Sequence, residues 1–148
     1  MPSTHTSLLY HLVFSTKNRE PWFDSEWRQR VHAYLGGCIR TAGGVAKEVG
    51  GTADHVHLLV SLGPTHRICD VLRDIKQESS EWLHKEMRRT AFAWQEGYGA
   101  FSVSASGSSR VQTYIRNQES HHRRSSFQQE YRTLLERHGV AFDERYLW

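Results

Sequence analysis

The chain has 148 residues, which is the usual size of one domain, and we expect a single domain over residues 1–148. Its net charge of +3 is too small to indicate nucleic-acid binding by itself. No apolar run approaches the roughly 18 residues of a membrane span, and the first residues lack the pattern of a signal peptide. The sequence therefore predicts a cytoplasmic protein with no membrane partner.

The first third of the chain predicts a strand followed by a helix. Apolar and aromatic residues over 7–16 predict the strand. Asp24 or Ser25 is expected to cap the helix, which Gly43 and Gly44 end. The buried stripe of this helix is predicted from residues at helical spacing: Trp27, Val31, Tyr34, Leu35, Cys38, Ile39 and Ala42.

The middle of the chain adds three strands and one long helix. Residues 45–49 and 55–62 predict two strands joined as a hairpin. A helix is expected over 67–88, and residues 98–104 predict a fourth strand. The resulting order is typical of the ferredoxin-like fold, an α+β arrangement in which two helices cover one face of a four-stranded antiparallel sheet.

The last third predicts two further helices. The first runs from Ser108 to about residue 120, and we expect it to cover the face of the sheet that the other helices leave open. The segment 104–108 before it is either a hinge that lets this helix move or an ordinary surface loop of small residues. The second helix is expected over 126–138, and the aromatic tail at 141–148 is expected to pack back on the domain.

Two cysteines, Cys38 and Cys69, are far apart and match no metal or redox spacing. Both fall on the predicted apolar stripes of helices. We therefore expect both to be buried free thiols in a reducing compartment.

The segment DHVHLLV at residues 54–60 is the strongest local signal for chemistry. Side chains alternate along a strand, so His55 and His57 point to one face while Val56 and Leu58 point into the helix-covered core. Two neighbouring imidazoles can bind one metal ion. The alternative is a pair of half-exposed histidines on an open sheet face.

The segment YIRNQ at residues 114–118 is the second signal. Residues four apart share a face of a helix, so Tyr114 and Gln118 would lie together. Taken alone, Tyr114 fits a core contact and Gln118 a solvated amide. On a helix that covers the open sheet face, however, both would meet His55 and His57. The amide oxygen can bind a hard cation, which would polarise a phosphodiester and lower the pKa of a nearby hydroxyl.

Four segments of the chain resemble the HUH single-tyrosine transposases of IS200-like insertion sequences, which include the repeat-associated tyrosine transposases. They occur in family order and are YHLVFSTK at 10–17, DHVHLLVS at 54–61, IKQESS at 75–80 and YIRNQ at 114–118. One departure is Ala53, where many members have proline, but this position touches no catalytic group.

The resemblance implies a defined reaction. Tyr114 matches the nucleophile, which attacks a DNA phosphate and leaves a 5′-phosphotyrosine link and a free 3′-hydroxyl. His55, His57 and Gln118 match the ligands of a Mg²⁺ or Mn²⁺ ion. Members act on single-stranded DNA, recognise hairpins at the ends of the element and often work as homodimers. Whether the tyrosine acts within its own subunit or across the dimer stays open.

Several basic residues near these segments are candidate contacts for DNA phosphates, namely Lys17, Arg19, Lys76, Arg123 and Arg124. Each also fits an ordinary solvated surface charge. His11 and His66 are expected to be structural or surface residues.

Two other functions fit the same residues. A domesticated protein that binds DNA hairpins without cutting them would need the DNA groove but not the chemistry. A metal-dependent phosphodiesterase that uses water would make Tyr114 a bystander and form no covalent adduct.

Overall fold

The computed structural model describes residues 3–147, and its centre is a four-stranded antiparallel sheet. The strands are β1 (Leu9–Ser15), β2 (Val45–Gly51), β3 (His55–Ser61) and β4 (Gly99–Val103). Their order across the sheet is β2-β3-β1-β4, with β1 paired to both β3 and β4. The predicted ferredoxin-like architecture is confirmed.

Five α-helices accompany the sheet in the described part of the chain. They are α1 (Arg28–Thr41), α2 (Ile68–Lys85), α3 (Ser108–Arg116), α4 (Gln118–His122) and α5 (Phe127–Arg137). Ser126 caps α5 with a capping box, in which its side chain accepts from the backbone N–H of Gln129. No described helix has both the length and the apolar character that a membrane crossing requires.

The main core lies between the sheet and the pair α1 and α2. Leu12 and Phe14 of β1 and Val56, Leu58 and Val60 of β3 are buried in it, as alternation along a strand requires. Because these side chains take one face of both strands, the residues between them must point to the opposite face. That opposite face carries the histidines.

The helices α3 and α4 cover the second face, as expected for the segment 108–120, and α5 packs over the same face. A smaller cluster forms there, in which Val13 and Phe101 of the sheet pack with Phe127 and Leu135 of α5. Among the tail residues, Phe142 and Leu147 pack against this cluster, whereas Trp148 lies outside the described residues.

The helix predicted over 108–120 is in fact two helices. Asn117 has φ −97° and ψ 22°, which ends α3, and α4 starts at the next residue. Tyr114 therefore lies in the last turn of α3, while Gln118 is the first residue of α4. The backbone N–H of Asn117 donates to the Thr113 carbonyl at the end of α3, and the Asn117 carbonyl accepts from the N–H of His121 in α4.

The prediction for the cysteines is right for Cys38 and wrong for Cys69. Cys38 is buried in the main core, whereas Cys69 is exposed. The buried stripe of α2 passes through Val71, Leu72 and Ile75, and Cys69 lies outside it in the first turn. An apolar residue near a helix end is only weakly constrained by periodicity, because one turn provides few positions to fix the phase.

At Gly50 the helix α3 packs directly against the backbone of β2. A Cβ at this position would lie 2.4 Å from the Ile115 carbonyl oxygen and 2.8 Å from Ile115 Cγ2. Ile115 is fully buried next to Tyr114, so neither atom has room to move. We expect Gly50→Ala to lower the free energy of unfolding by about 1–3 kcal/mol, measured by urea denaturation, because α3 must shift.

The matched control is Gly37→Ala in α1, where the nearest atom to an added Cβ is the flexible end of Arg40. Because alanine is a better helix former than glycine, this variant should be as stable as the wild type or more so. If Gly50→Ala were equally well tolerated, α3 would not be held against β2 in the way described.

Candidate active site

The two histidines of β3 lie side by side on the face covered by α3, α4 and α5. Both His55 and His57 are completely buried, and their ring centroids are 5.1 Å apart. They are therefore not half-exposed residues on an open sheet. Burial lowers the pKa of His57 to about 4, so its imidazole is neutral at pH 7.

Each of these imidazoles is held through its Nδ1 atom. His55 Nδ1 lies 2.8 Å from the Asp54 carboxylate, and His57 Nδ1 lies 2.8 Å from His11 Nε2. The carboxylate fixes the Nδ1–H tautomer of His55, which leaves the lone pair on Nε2. His11 is buried, and it orients His57 from the neighbouring strand β1. The expectation of a structural role for His11 understated its place in the site.

The Nε2 atoms of both histidines face oxygen atoms from α4 and α5. Gln118 is buried, and its Oε1 lies 3.0 Å from His55 Nε2. Glu130 of α5 is buried as well, and its Oε1 lies 3.0 Å from His57 Nε2 and 3.5 Å from His55 Nε2.

A third imidazole, that of His122 in α4, joins the same group. Its Nδ1 lies 2.7 Å from the Ser125 carbonyl, which fixes the proton on that nitrogen. Its Nε2 lies 3.0 Å from Glu130 Oε1 and 3.1 Å from Gln118 Oε1. One ligand atom from each of His55, His57, His122 and Glu130 can be chosen so that all four lie within 4.8 Å of one another.

This donor set fits a divalent cation. With its proton on Nδ1, His55 presents the lone pair of Nε2 to the Gln118 amide oxygen. Two acceptors opposed at about 3 Å repel unless a proton or a cation lies between them. Partners that fix the tautomer of each imidazole are typical of metal ligands.

Tyr114 reaches the group from α3. Its hydroxyl donates a hydrogen bond to Glu130 Oε2, and the Gln118 amide donates to the same oxygen at 3.0 Å. The tyrosine ring lies edge-on to His57, with centroids 5.8 Å apart. All groups proposed from the two sequence signals therefore meet within one chain, and Glu130 connects them.

The electrostatics of Tyr114 and Glu130 are coupled. Burial and the adjacent Glu130 charge raise the pKa of the Tyr114 phenol well above its usual value. Burial alone would raise the pKa of Glu130, but hydrogen bonds from His122 and His57 outweigh it and hold that pKa well below its ordinary value. At neutral pH the pair is therefore a protonated phenol and an ionised carboxylate.

The candidate DNA contacts have different surroundings. Lys17, Arg123 and Arg124 are exposed, and Arg19 lines a cavity of about 270 Å³ together with Asp54 and His122. These four residues are near enough to the surface to meet a phosphate backbone.

Lys76 has another role in the fold. Its ammonium donates to the carbonyls of Gln95 at 3.0 Å and Gly97 at 2.5 Å, and it lies over the Phe14 ring. Burial lowers the pKa of Lys76 to about 8. These contacts fix the loop that leads into β4.

Glu130 and His122 were not identified as site residues from the sequence. His122 lies in the basic run HHRR at residues 121–124, next to the candidate DNA contacts Arg123 and Arg124. Glu130 lies in a helix with many polar residues, where a glutamate is usually exposed. The helical spacing of Phe127, Glu130 and Leu134 puts all three on one face of α5. This spacing was the sequence signal that could have indicated a buried Glu130.

Comparison with known proteins relates the chain to one family. Residues 4–118 match the sequence profile of the family described as Transposase IS200 like. Over 121 residues the chain is 26% identical to the transposases for insertion sequence element IS200 of Salmonella typhimurium and Salmonella typhi. These alignments cover 78% of this chain and 79% of each relative.

Two solved structures share the fold. The structure of a candidate transposase from Deinococcus radiodurans has a TM-score of 0.66 at 24% identity, covering 80% of this chain and 95% of the other. A REP-associated tyrosine transposase bound to a REP hairpin has a TM-score of 0.60 at 12% identity, covering 82% and 74%. At these identities the likeness is one of fold. Because the family profile matches most of the chain, this protein belongs to the IS200-like transposases.

Proposed function

We propose that this protein is a single-stranded DNA transposase that cleaves and rejoins DNA through a covalent bond to Tyr114. One observation carries the proposal: the Tyr114 hydroxyl and the Gln118 amide meet His55 and His57 around the carboxylate of Glu130. This arrangement combines a nucleophile, a proton acceptor and a set of cation ligands in one buried group.

The chemistry balances as a transesterification. Tyr114 Oη forms a bond to the phosphorus while the bond from phosphorus to the 3′-oxygen breaks, and that oxygen leaves as a 3′-hydroxyl after taking a proton. Glu130 Oε2, which accepts the hydrogen bond of the phenol, is our proposed acceptor of the phenol proton and donor of one to the leaving group. Because an aryl phosphate ester keeps the energy of the broken linkage, a 3′-hydroxyl can attack it and rejoin DNA without ATP.

The residues proposed to hold Mg²⁺ or Mn²⁺ are His55, His57 and Gln118, with His122 and Glu130 as further donors. When bound, such an ion would polarise the phosphodiester and offset the carboxylate charge that keeps the phenol protonated. The chain itself orients the donors, since Asp54 holds His55 and His11 holds His57.

We propose single-stranded DNA with hairpin-forming ends as the substrate. Lys17, Arg19, Arg123 and Arg124 remain proposed phosphate contacts, whereas the contacts of Lys76 support a structural role. The relative bound to a REP hairpin supports a structured DNA partner for this fold.

We further propose that residues 1–148 act as one catalytic domain and that the protein forms a homodimer. Because Tyr114 contacts Glu130 of its own chain, the proposed site needs no residue from a second subunit. A dimer would then bring two complete sites to two DNA ends. Mixing Tyr114→Phe with a His57→Ala variant tests this, since catalysis within each subunit predicts that the mixture stays inactive.

The direct test uses a single strand from the DNA flanking the gene, labelled at its 3′ end, with Mn²⁺ or Mg²⁺. A 5′-phosphotyrosine retains the 3′ fragment, so we expect a labelled protein band on a denaturing gel. EDTA and the fully double-stranded form of the same DNA should abolish it. Cleavage without this band would indicate a water-dependent phosphodiesterase, and binding without cleavage would indicate a non-cutting hairpin-binding protein.

A further inference from the structure

A cavity of about 410 Å³ opens beside Tyr114. It lies between β4, α3 and α5, and Tyr114 and Glu130 form part of its wall together with Phe101 and Leu134. A volume in this range is typical of small-molecule sites and much larger than a single inorganic anion needs.

Two arginines line this cavity, one from each helix that supplies the reacting pair. Arg110 precedes Tyr114 by four residues on α3, and Arg137 follows Glu130 by seven residues on α5. At these spacings each arginine shares the face of its helix that carries the reacting group. Both are exposed, and among the described residues neither forms an ion pair. The positive charge of Arg137 acts on the Tyr114 phenol and opposes the rise of its pKa.

Phe101 and His138 give part of the cavity wall an aromatic surface. Phe101 of β4 is buried against the ring of His138, with centroids 4.4 Å apart and an interplanar angle of 31°. His138 Nδ1 lies 2.7 Å from the Leu134 carbonyl, which fixes the orientation of the ring. His138 is exposed, and an exposed aromatic ring of fixed orientation is a surface on which a nucleobase can stack.

We infer that this cavity binds the deoxynucleotide next to the scissile phosphate, with Arg110 and Arg137 on its phosphates and the base against His138. Cationic walls, an aromatic surface and an end that opens on the nucleophile are the three features that one nucleotide of a bound strand requires. The inference rests on the proposed function, because it assumes that the strand reaches Tyr114.

The test measures the affinity of a fluorescein-labelled single strand from the flanking DNA by fluorescence anisotropy at several salt concentrations. Arg110→Ala and Arg137→Ala should each weaken binding about tenfold at low salt and reduce the slope of log affinity against log salt by about 0.7. Arg73→Ala is the matched control, since this exposed arginine lies on α2 across the sheet. It should leave both quantities unchanged.

A second measurement locates the base. Photocrosslinking with 5-iodo-2′-deoxyuridine next to the cleavage site should modify the peptide that contains His138. Because crosslinking is read in the wild-type chain, it does not depend on whether the arginine variants fold. Crosslinks confined to other surfaces would overturn the assignment of the base.

The outcomes separate this inference from the proposed function. If the wild-type protein forms the adduct while both arginine variants bind DNA within about twofold of wild type, the cavity is not a nucleotide site and the transposase proposal stands. If both variants lose affinity and crosslinking reaches His138 but the wild-type protein forms no adduct, the cavity is a nucleotide site and the proposed strand-transfer chemistry is wrong.

Discussion

Tyr114→Phe is expected to abolish the covalent protein–DNA adduct, with a loss of at least about a thousandfold, because the substitution removes the atom that bonds to phosphorus. The fold should survive. The phenylalanine ring at this position would still pack edge-on to His57 and His11, as the Tyr114 ring does. Glu130 Oε2 would keep its hydrogen bond from Gln118. The measurement is adduct yield on a denaturing gel, together with DNA affinity, which should stay within about twofold of wild type.

The control for this variant is Tyr34→Phe. Tyr34 stacks on Trp82 across the sheet from the site, at a centroid distance of 4.4 Å. The adduct should form normally in this protein. An adduct that persists in Tyr114→Phe would assign the nucleophile to another residue and leave the contact with Glu130 without a catalytic role.

Glu130→Gln is expected to lower the affinity for Mn²⁺ by at least about 10–100-fold, the range found when a residue that supports a metal ligand is lost. The substitution keeps the shape of the side chain but removes the only described carboxylate within reach of the His55, His57 and His122 Nε2 atoms. The measurement is Mn²⁺ binding by electron paramagnetic resonance in the absence of DNA. Adduct yield should fall as well, because the amide cannot take the phenol proton.

Glu136→Gln provides the matched control on the same helix, since Glu136 is exposed and outside the donor set. It should bind Mn²⁺ as the wild type does. Equal Mn²⁺ affinity in Glu130→Gln and wild type would remove Glu130 from the proposed ligands. It would also imply that His55, His57 and Gln118 suffice, as the family resemblance alone predicts.

The fold was predictable because two simple periods dominate the sequence. Alternation along 54–60 sends Val56 and Leu58 to one face and the histidines to the other, and both predictions hold. The helical period of α1 was clear over four turns, so its buried stripe was placed correctly at Val31, Leu35 and Ile39. The middle of a long element fixes its phase, whereas the first turn of a helix, in which Cys69 lies, is only weakly constrained.

The interruption at Asn117 was not predictable from periodicity. The spacing between Tyr114 and Gln118 suits a continuous helix, and only the backbone angles of Asn117 reveal that α3 ends between them. The consequence for the site is small, because the break keeps both side chains directed at Glu130. Local propensity gives the type of an element more reliably than its ends.

The role of Glu130 depends on tertiary structure. It is 16 residues from Tyr114 and 73 from His57 in sequence, and it reaches both only because α5 packs over the second face of the sheet. It also lies beyond residue 118, where the match to the family profile ends. Neither a local motif nor the family resemblance therefore indicated that a carboxylate would join the histidines.

The roles of His11 and His122, which lie outside the HVH segment, both depend on tertiary structure. His11 contacts His57 because β1 and β3 are neighbours in the sheet. The predicted topology already made these two strands neighbours, but it was not applied to His11. His122 reaches Glu130 because α4 ends one turn after Gln118. Both contacts become visible once the strand order and the position of α5 are known.

The central claim is that a phenol on α3 becomes joined to DNA beside a group of imidazoles on β3. The most direct measurement is mass spectrometry of the digested wild-type adduct, formed with flanking single-stranded DNA and Mn²⁺. The account predicts a nucleotide-modified peptide in which the modified residue is Tyr114. Modification of any other residue, or cleaved DNA with no modified peptide, would contradict it.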